Sequence, residues 1–216
     1  MLAYYLAKVE GDKSMADVLN SSDPDLHTAN AKKWGVERTV AKTLVFLLIY
    51  GGQPALMVKR KLFSTLAEAE AAFEGVHKSQ PAIRKLMEYV CKRCSQDGYI
   101  TTLGGRRLYY PTINSSNKWL RLRAERQCFN ALIQGGARDI MHKLAVETHE
   151  VLECYGLHNA CIVNQVHDEL IVDFNSYYEQ ELLADLNLVW QNRLDLLPGV
   201  RVNGDWHAGD TWFEAK

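Results

Sequence analysis

The chain has 216 residues and a formal net charge of −1, and hydrophobic residues make up 47% of it. This composition is typical of a globular protein and argues against a disordered chain. The longest apolar run, residues 44–50, is far shorter than the ~20 residues of a membrane-spanning helix, so we expect no membrane partner. Five cysteines cannot all pair, and the first residues lack the basic segment of a secretory signal. These features predict a cytoplasmic protein in a reducing compartment.

Charge is unevenly distributed along the chain. Residues 84–126 hold ten Lys or Arg against three Asp or Glu, whereas residues 173–216 hold eight acidic residues against three basic ones. A basic stretch in a neutral chain is typical of a local surface that binds a polyanion. A solvated helix face has the same composition, so this feature alone leaves both interpretations open.

The predicted elements combine many helices with two hairpins, which indicates an α+β fold. Asp25 is the expected N-cap of one helix, and Gly35 is expected to end it. Helices are predicted over residues 14–19, 26–34, 37–50, 65–76, 82–94, 124–155 and 177–194. Hairpins are predicted over residues 98–111, with the turn at Gly104 and Gly105, and over residues 159–174. A last strand is predicted over residues 200–206.

The predicted helix over residues 37–50 carries a charged and aromatic stripe on one face. Arg38, Lys42, Phe46 and Tyr50 recur at every fourth position, which makes one slanting stripe roughly 18 Å long. The two cations repel each other and oppose the helix dipole, so the pattern favours an anionic partner such as a triphosphate. A core helix with a solvated basic start is the alternative.

The second hairpin concentrates its polar residues at the tip. His167, Asp168 and Glu169 interrupt a run that is apolar on both sides. A carboxylate at the end of a strand suits Mg²⁺, which takes oxygen ligands together with substrate phosphates. A polar turn without a metal is the alternative. A His–Asp metal pair of the phosphohydrolase type would need further histidines, and no suitable set is formed by His142, His149 and His158.

The long helix before this hairpin presents a row of hydrogen-bond donors. Arg126, Asn130 and Gln134 lie on one face at four-residue spacing. The minor groove of DNA offers acceptors at every base pair, so such a row can contact a duplex without reading its sequence. A polar helix face without a ligand is the alternative.

Cys91 and Cys94 form a Cys-x-x-Cys pair. A zinc site would need a second such pair, and the other cysteines (Cys128, Cys154 and Cys161) are scattered along the chain. A structural role is therefore the expectation for the pair.

Taken in order, these motifs resemble those of the family A DNA polymerases, from about Met1 to the C-terminus. The stripe that ends at Tyr50 and Gly51 is similar to motif B, the fingers helix that holds the incoming nucleotide. Residues 98–107 resemble the segment between fingers and palm, the donor row resembles the duplex-contacting helix, and residues 165–169 resemble motif C, the carboxylate hairpin of the palm. The resemblance implies three regions: a palm segment over residues 1–12, fingers over residues 13–120 and palm over residues 121–216.

The resemblance also implies a function, template-directed transfer of dNTPs to a primer 3′-OH by two-metal catalysis. Asp168 would ligate catalytic Mg²⁺, and Glu169 would support that site as a second catalytic residue. The residues implied in dNTP binding are His27, Arg38, Lys42, Phe46 and Tyr50. The residues implied in binding primer–template DNA are Arg106, Arg107, Arg126, Asn130, Gln134 and His167.

Two departures from the family pattern bear on this function. Leu47 stands where the family usually has Gly. Motif A, Asp-x-Ser-x-x-Glu-x-Arg, would fall just before Met1, so the second carboxylate ligand is expected from a partner chain that carries motif A, the thumb and possibly an exonuclease. The chain would then be the C-terminal piece of a split, phage-like polymerase in a bacterial or phage-infected cell. The alternative is a non-catalytic DNA-binding or assembly subunit, or an inactive polymerase remnant.

Overall fold

The computed structural model describes residues 1–50, 52 and 54–215, with the side chain of Leu48 excepted. The fold is α+β, with helices and two separate two-stranded antiparallel sheets, which confirms the predicted class. The chain divides into two compact units, Met1–Gly136 and Ala137–Lys216. The division into residues 1–12, 13–120 and 121–216 rests on the motifs and stays a prediction.

The first unit is mainly helical. Its helices are α1 (Leu2–Tyr5), continued by a π-helical turn (Leu6–Glu10), α2 (Ser14–Leu19), α3 (Leu26–Trp34), α4 (Arg38–Tyr50), α5 (Pro54–Lys59), α6 (Leu66–Ser79) and α7 (Pro81–Asp97). The strands β1 (Tyr99–Thr101) and β2 (Arg107–Tyr109) form its hairpin. The long helix α8 (Lys118–Tyr155) runs from the first unit into the second.

Local signals in the sequence explain where these helices begin and end. Thr65 and Glu68 form a capping box at the start of α6, and Pro81 occupies the first turn of α7. Gly98 ends α7 in the left-handed conformation, with φ of 74°. The predicted helices of this unit are therefore confirmed, with ends shifted by a few residues. Helix α5 was missed because six residues are too few for a periodic pattern.

Helix α4 buries one face and exposes the other. Ala41 and Leu44 are fully buried, and Leu47 is 5% exposed. The backbone N–H of Gly52 donates to the carbonyl of Leu47 at 2.8 Å, and the Leu47 side chain occupies the space that a Cβ on Gly52 would need. Leu47 thus belongs to the packed end of α4, where a side chain at position 52 would have to displace it. Gly51, the last residue of the predicted motif, lies outside the described residues.

The second unit packs one hairpin against two helices. Its elements are the C-terminal part of α8, β3 (Ala160–Val166), β4 (Glu169–Phe174), a 3₁₀ turn (Ser176–Tyr178) and α9 (Glu179–Trp190). The core consists of buried residues from α8, β3 and α9: Leu152, Ala160, Leu182 and Leu186. The register of the two strands shifts between Ile162 and Asn164, which marks a bulge in β3. The predicted hairpin over residues 159–174 is confirmed.

The predicted strand over residues 200–206 is wrong. Within the described part of the chain this segment makes one isolated bridge, between Val202 and Arg193. The polar and flexible residues 203–205 have low strand propensity. Trp206 instead packs edge-on against Trp190, with ring centroids 5.4 Å apart, and Trp190 marks the end of α9, four residues earlier than predicted.

No helix in the described residues has the length and apolar character needed to cross a membrane.

Candidate functional site

The N-cap residue of α3 holds the first residue of the charged stripe in place. Asp25 caps α3 by accepting a hydrogen bond from the backbone N–H of Thr28 at 3.0 Å and another from its hydroxyl at 2.7 Å. The second carboxylate oxygen of Asp25 also accepts from Arg38 Nε at 2.9 Å. These hydrogen bonds from Thr28, and then the one from Arg38, hold the pKa of Asp25 well below its ordinary value. The sequence predicted the cap but not the ion pair.

This depressed pKa predicts a pH dependence of stability. The charged form of Asp25 stabilises the fold fully above its unfolded pKa of about 4, and that contribution is lost as the pH falls further towards the folded value. Asp25→Asn keeps a capping oxygen but has no charge to lose. We expect the urea midpoint of the unsubstituted chain, followed by circular dichroism, to fall more steeply between about pH 4 and 2 than that of Asp25→Asn. Parallel curves would contradict this role for Asp25.

The aromatic part of the stripe is exposed on α4. Phe46 is 39% exposed and Tyr50 is 46% exposed, and their rings stack with centroids 6.0 Å apart. The ring of His27, from α3, lies 6.4 Å from that of Phe46, and Lys42 is exposed on the same helix. The structure thus brings the five predicted nucleotide-binding residues onto adjacent parts of α3 and α4. Because Lys42, Phe46 and Tyr50 are exposed, this part of the stripe is accessible to a ligand.

His27 has an incompletely satisfied side chain. Its Nδ1 is buried and has no hydrogen-bond partner among the described residues. Burial, followed by the positive charges of Arg38 and Lys42, lowers the pKa of His27 below its ordinary value. At neutral pH the imidazole is therefore predominantly neutral, which leaves it able to donate or accept one hydrogen bond to a ligand.

One hydrogen bond joins the stripe to the donor row. Gln134 Nε2, on α8, donates to the hydroxyl oxygen of Tyr50 at 2.8 Å. The two residues are 84 positions apart, so no local pattern could have predicted the contact. It brings together a residue proposed to face the nucleotide and a residue proposed to face the duplex, both within the first unit.

The other members of the donor row differ in their surroundings. Asn130 is half-buried, and its Oδ1 has no hydrogen-bond partner among the described residues. Arg126 is exposed and lines an open cavity between α6, α7 and α8. A buried, unpaired amide oxygen is costly, and it is commonly satisfied by water or a ligand.

The two arginines after β1 contact different elements, Arg106 the helix α8 and Arg107 the strand β1. Arg106 Nη2 donates to the carbonyl of Gly135 at 3.2 Å, and the guanidinium of Arg107 lies 4.8 Å from the ring centroid of Tyr99. A Cβ on Gly135 would overlap the side chain of Thr102, so the absence of a side chain lets the turn after β1 approach α8 closely. Both arginines are exposed.

In the second unit, the β3–β4 hairpin turns through two residues. Val166 pairs with Glu169, which leaves His167 and Asp168 as the turn. His167 has a φ of 55°, an uncommon conformation for a residue other than Gly, and Asp168 is exposed. The tight turn therefore presents the Asp168 carboxylate to solvent at the end of a strand.

Glu169 is held by a residue from the C-terminal segment. Trp212 Nε1 donates to Glu169 Oε1 at 2.8 Å. The sequence missed this contact because 43 positions separate the two residues. The hydrogen bond restrains the Glu169 side chain at the first position of β4, beside the exposed Asp168.

Two carboxylates lie at the tip of the β3–β4 hairpin. Asp168 and Glu169 supply oxygen donors, the chemistry that Mg²⁺ prefers. No group of three His, Cys, Asp or Glu side chains in the described ranges is arranged to hold a metal ion. The donor set therefore fits one side of a Mg²⁺ site that needs further ligands from elsewhere.

Comparisons with known proteins place these motifs in a family. The sequence model of DNA polymerase family A matches residues 4–214. The thermostable DNA polymerase I of Thermus filiformis is 32% identical over 220 residues, an alignment that covers 98% of this chain and 26% of the relative. DNA polymerase I of Pseudomonas aeruginosa is 34% identical over 220 residues, with 97% and 23% covered. The chain thus spans about a quarter of the length of these relatives.

A solved structure has the same fold. It is the POL domain of Pol1 from M. smegmatis in complex with DNA primer-template and dNTP. The TM-score is 0.84 at 25% sequence identity, and the similarity covers 99% of this chain and 38% of the other.

Proposed function

Since the chain belongs to DNA polymerase family A, we propose that it forms the fingers and part of the palm of a DNA polymerase that adds dNTPs to a primer 3′-OH. The observation that carries this proposal is the exposed carboxylate of Asp168, which a two-residue turn presents at the end of a strand. The related structure from M. smegmatis is a complex with primer-template DNA and dNTP, which supports both as ligands here.

The stripe on α4 would bind the incoming nucleotide. Lys42 and Arg38 would bind the triphosphate, and the neutral His27 would add a hydrogen bond. Arg38 is already paired with Asp25, so it would be held in position before the nucleotide arrives. Because a cation in a fixed position loses less conformational entropy on binding, this ion pair would favour affinity for the triphosphate. Phe46 would pack against the sugar and base.

Tyr50 would stack near the nascent base pair at the other end of the stripe. Its hydrogen bond from Gln134 supports a link between nucleotide binding and duplex binding. Gln134 would share the minor groove with the other donors of α8, and phosphates would be contacted by the exposed arginines. The full set proposed to contact DNA is Arg106, Arg107, Arg126, Asn130, Gln134 and His167.

Asp168 would be the metal-ligating catalytic residue, and Glu169, restrained by Trp212, would support the same site. Two bound Mg²⁺ ions would stabilise the charge that develops on the attacking 3′-oxygen and on the leaving pyrophosphate. Because the described residues hold no three-residue metal cluster, we propose that another carboxylate comes from a motif A segment outside residues 1–216. A separate partner chain, as in a split polymerase, is one source of that segment, and a longer form of the same polypeptide is another.

Complementation tests this proposal. We expect the 216-residue chain, mixed with a family A fragment that carries motif A and the thumb, to extend a labelled primer when Mg²⁺ and dNTPs are present. The chain alone should not extend it. The controls are the fragment alone and the mixture with EDTA.

Three other results would change the interpretation. Efficient extension by the chain alone would refute the need for an outside carboxylate. Primer–template binding with no extension in any mixture would favour the alternative, a non-catalytic DNA-binding or assembly subunit. Loss of both binding and extension would refute the polymerase proposal.

A further inference from the structure

Three cysteines from α7 and α8 meet inside the first unit. Cys91 and Cys94 lie on α7, and Cys128 lies on α8. The Sγ atoms of Cys91 and Cys128 are 3.9 Å apart, and Cys94 and Cys128 are fully buried. The pattern of cysteines in the sequence is scattered, so the fold creates this cluster. Neither the nucleotide stripe nor the carboxylate hairpin uses it.

The three thiols differ in their access to solvent. Cys91 is half-buried and lines the open cavity between α6, α7 and α8, beside His77, Glu88 and Leu122. Cys128 has no exposed surface. A small reagent can therefore reach Cys91 from the cavity but cannot reach Cys128 directly.

The local hydrogen bonds prepare the pair for reaction. Both thiols lie against the carbonyl oxygen of Glu125, with Cys91 Sγ at 3.6 Å and Cys128 Sγ at 3.2 Å. The hydrogen bond between the two thiols lowers the pKa of Cys91 and raises the pKa of Cys128. Since the thiolate is the reactive form, a lowered pKa favours reaction at Cys91, the more accessible of the two cysteines.

We propose that Cys91 and Cys128 form a reversible disulfide when the chain meets a low-molecular-weight disulfide such as glutathione disulfide. The Cys91 thiolate attacks one reagent sulfur, the reagent S–S bond breaks, and one reagent thiolate leaves. Cys128 loses its proton and attacks Cys91 Sγ, which forms the protein disulfide and releases the second reagent thiolate. The two cysteines lose two electrons and two protons, and the reagent gains them as two thiols.

The two sulfur atoms already lie close together. The two Sγ atoms must approach from 3.9 Å to the ~2.05 Å of a disulfide bond. The bond would join α7 to α8 two residues before Asn130, and it would enclose the β1–β2 hairpin within the closed loop. In a reducing compartment such a bond forms transiently under oxidative load.

Peptide mapping tests the proposal directly, because trypsin separates all three cysteines. Cys91 falls in the peptide 86–92, Cys94 in 94–106 and Cys128 in 127–138. After the full chain is incubated with glutathione disulfide and blocked with N-ethylmaleimide, we expect the peptides 86–92 and 127–138 to be found linked. Dithiothreitol should separate them again.

Two variants serve as controls, each checked for native circular dichroism. Cys91→Ser should abolish the linked peptide, whereas Cys154→Ser, which removes an exposed cysteine from the same helix α8, should leave its yield unchanged.

If Cys128→Ala leaves Cys91 stably glutathionylated, Cys128 is the resolving residue. A linked 86–92 and 94–106 pair, or persistent glutathionylation of Cys91 in the unsubstituted chain, would overturn the proposal. The mapping does not depend on polymerase activity, so it stands or falls separately from the proposed function.

Discussion

Asp168→Ala is expected to lower primer extension by at least ~10³-fold in the mixture completed with a motif A fragment. A carboxylate that holds a catalytic metal contributes several kcal/mol to transition-state stabilisation, and each 1.4 kcal/mol corresponds to about a factor of ten in rate. Single-turnover extension in saturating dNTP and Mg²⁺ measures this rate. The affinity for primer–template, measured by fluorescence anisotropy, should change by less than about twofold, since Asp168 is proposed to contact the metal and not the DNA.

Asp173→Ala provides the matched control for that experiment. Asp173 is also an exposed carboxylate on the same hairpin, but it lies towards the opposite end of β4 and pairs with Cys161. Its removal changes the charge of the chain equally and should leave extension nearly unchanged. Extension that survives Asp168→Ala would remove Asp168 from the metal site. An equal loss in both variants would point to a general charge or stability effect.

Local chemistry made much of the fold predictable. Interactions within a few residues determine where these helices begin and end. The side-chain cap at Asp25 and the proline at position 81 each mark the start of a helix, and the glycine at position 98 marks the end of one. The first hairpin was predictable from its Gly104–Gly105 turn, and the second from a polar turn between two apolar strands. The α+β class followed from these elements, since the period of apolar residues differs between helices and strands.

Contacts between distant residues could not be predicted from such patterns. The hydrogen bond from Gln134 to Tyr50 and the one from Trp212 to Glu169 depend on how whole elements pack. The error at residues 200–206 has the same origin. Val202 and Trp206 looked like parts of a strand, but the segment is fixed by tryptophan packing rather than by a ladder of hydrogen bonds.

The candidate site shows the same division. The four-residue spacing of Arg38, Lys42, Phe46 and Tyr50 predicted which side chains share a face of α4. The spacing could not predict that Asp25 would pair with Arg38, or that the buried Nδ1 of His27 would have no hydrogen-bond partner among the residues that the structure describes. These two features come from the approach of α3 to α4. The ion pair also makes the charges of Arg38 and Lys42 differ in their surroundings. Arg38 is paired with a carboxylate, whereas Lys42 has an exposed side chain one turn further along α4.

Lys42→Ala is therefore expected to impair nucleotide use selectively. A charge-assisted hydrogen bond to phosphate is worth about 1.5–3 kcal/mol, so KM for dNTP should rise roughly 10- to 100-fold in steady-state extension by the completed mixture. The Kd for primer–template should change by less than about twofold, because Lys42 is proposed to contact the triphosphate and not the DNA. Lys42→Arg keeps the charge and should recover part of the nucleotide affinity.

Lys32→Ala is the matched control, since Lys32 is an exposed lysine on the adjacent helix α3. It should leave both constants unchanged. A second measurement needs no nucleotide: because the charge of Lys42 helps to lower the pKa of His27, Lys42→Ala should raise that pKa in an NMR titration. An equal loss of nucleotide and DNA affinity in Lys42→Ala would indicate that Lys42 is structural. An unchanged KM for dNTP would separate it from triphosphate binding even if the pKa of His27 moves as expected.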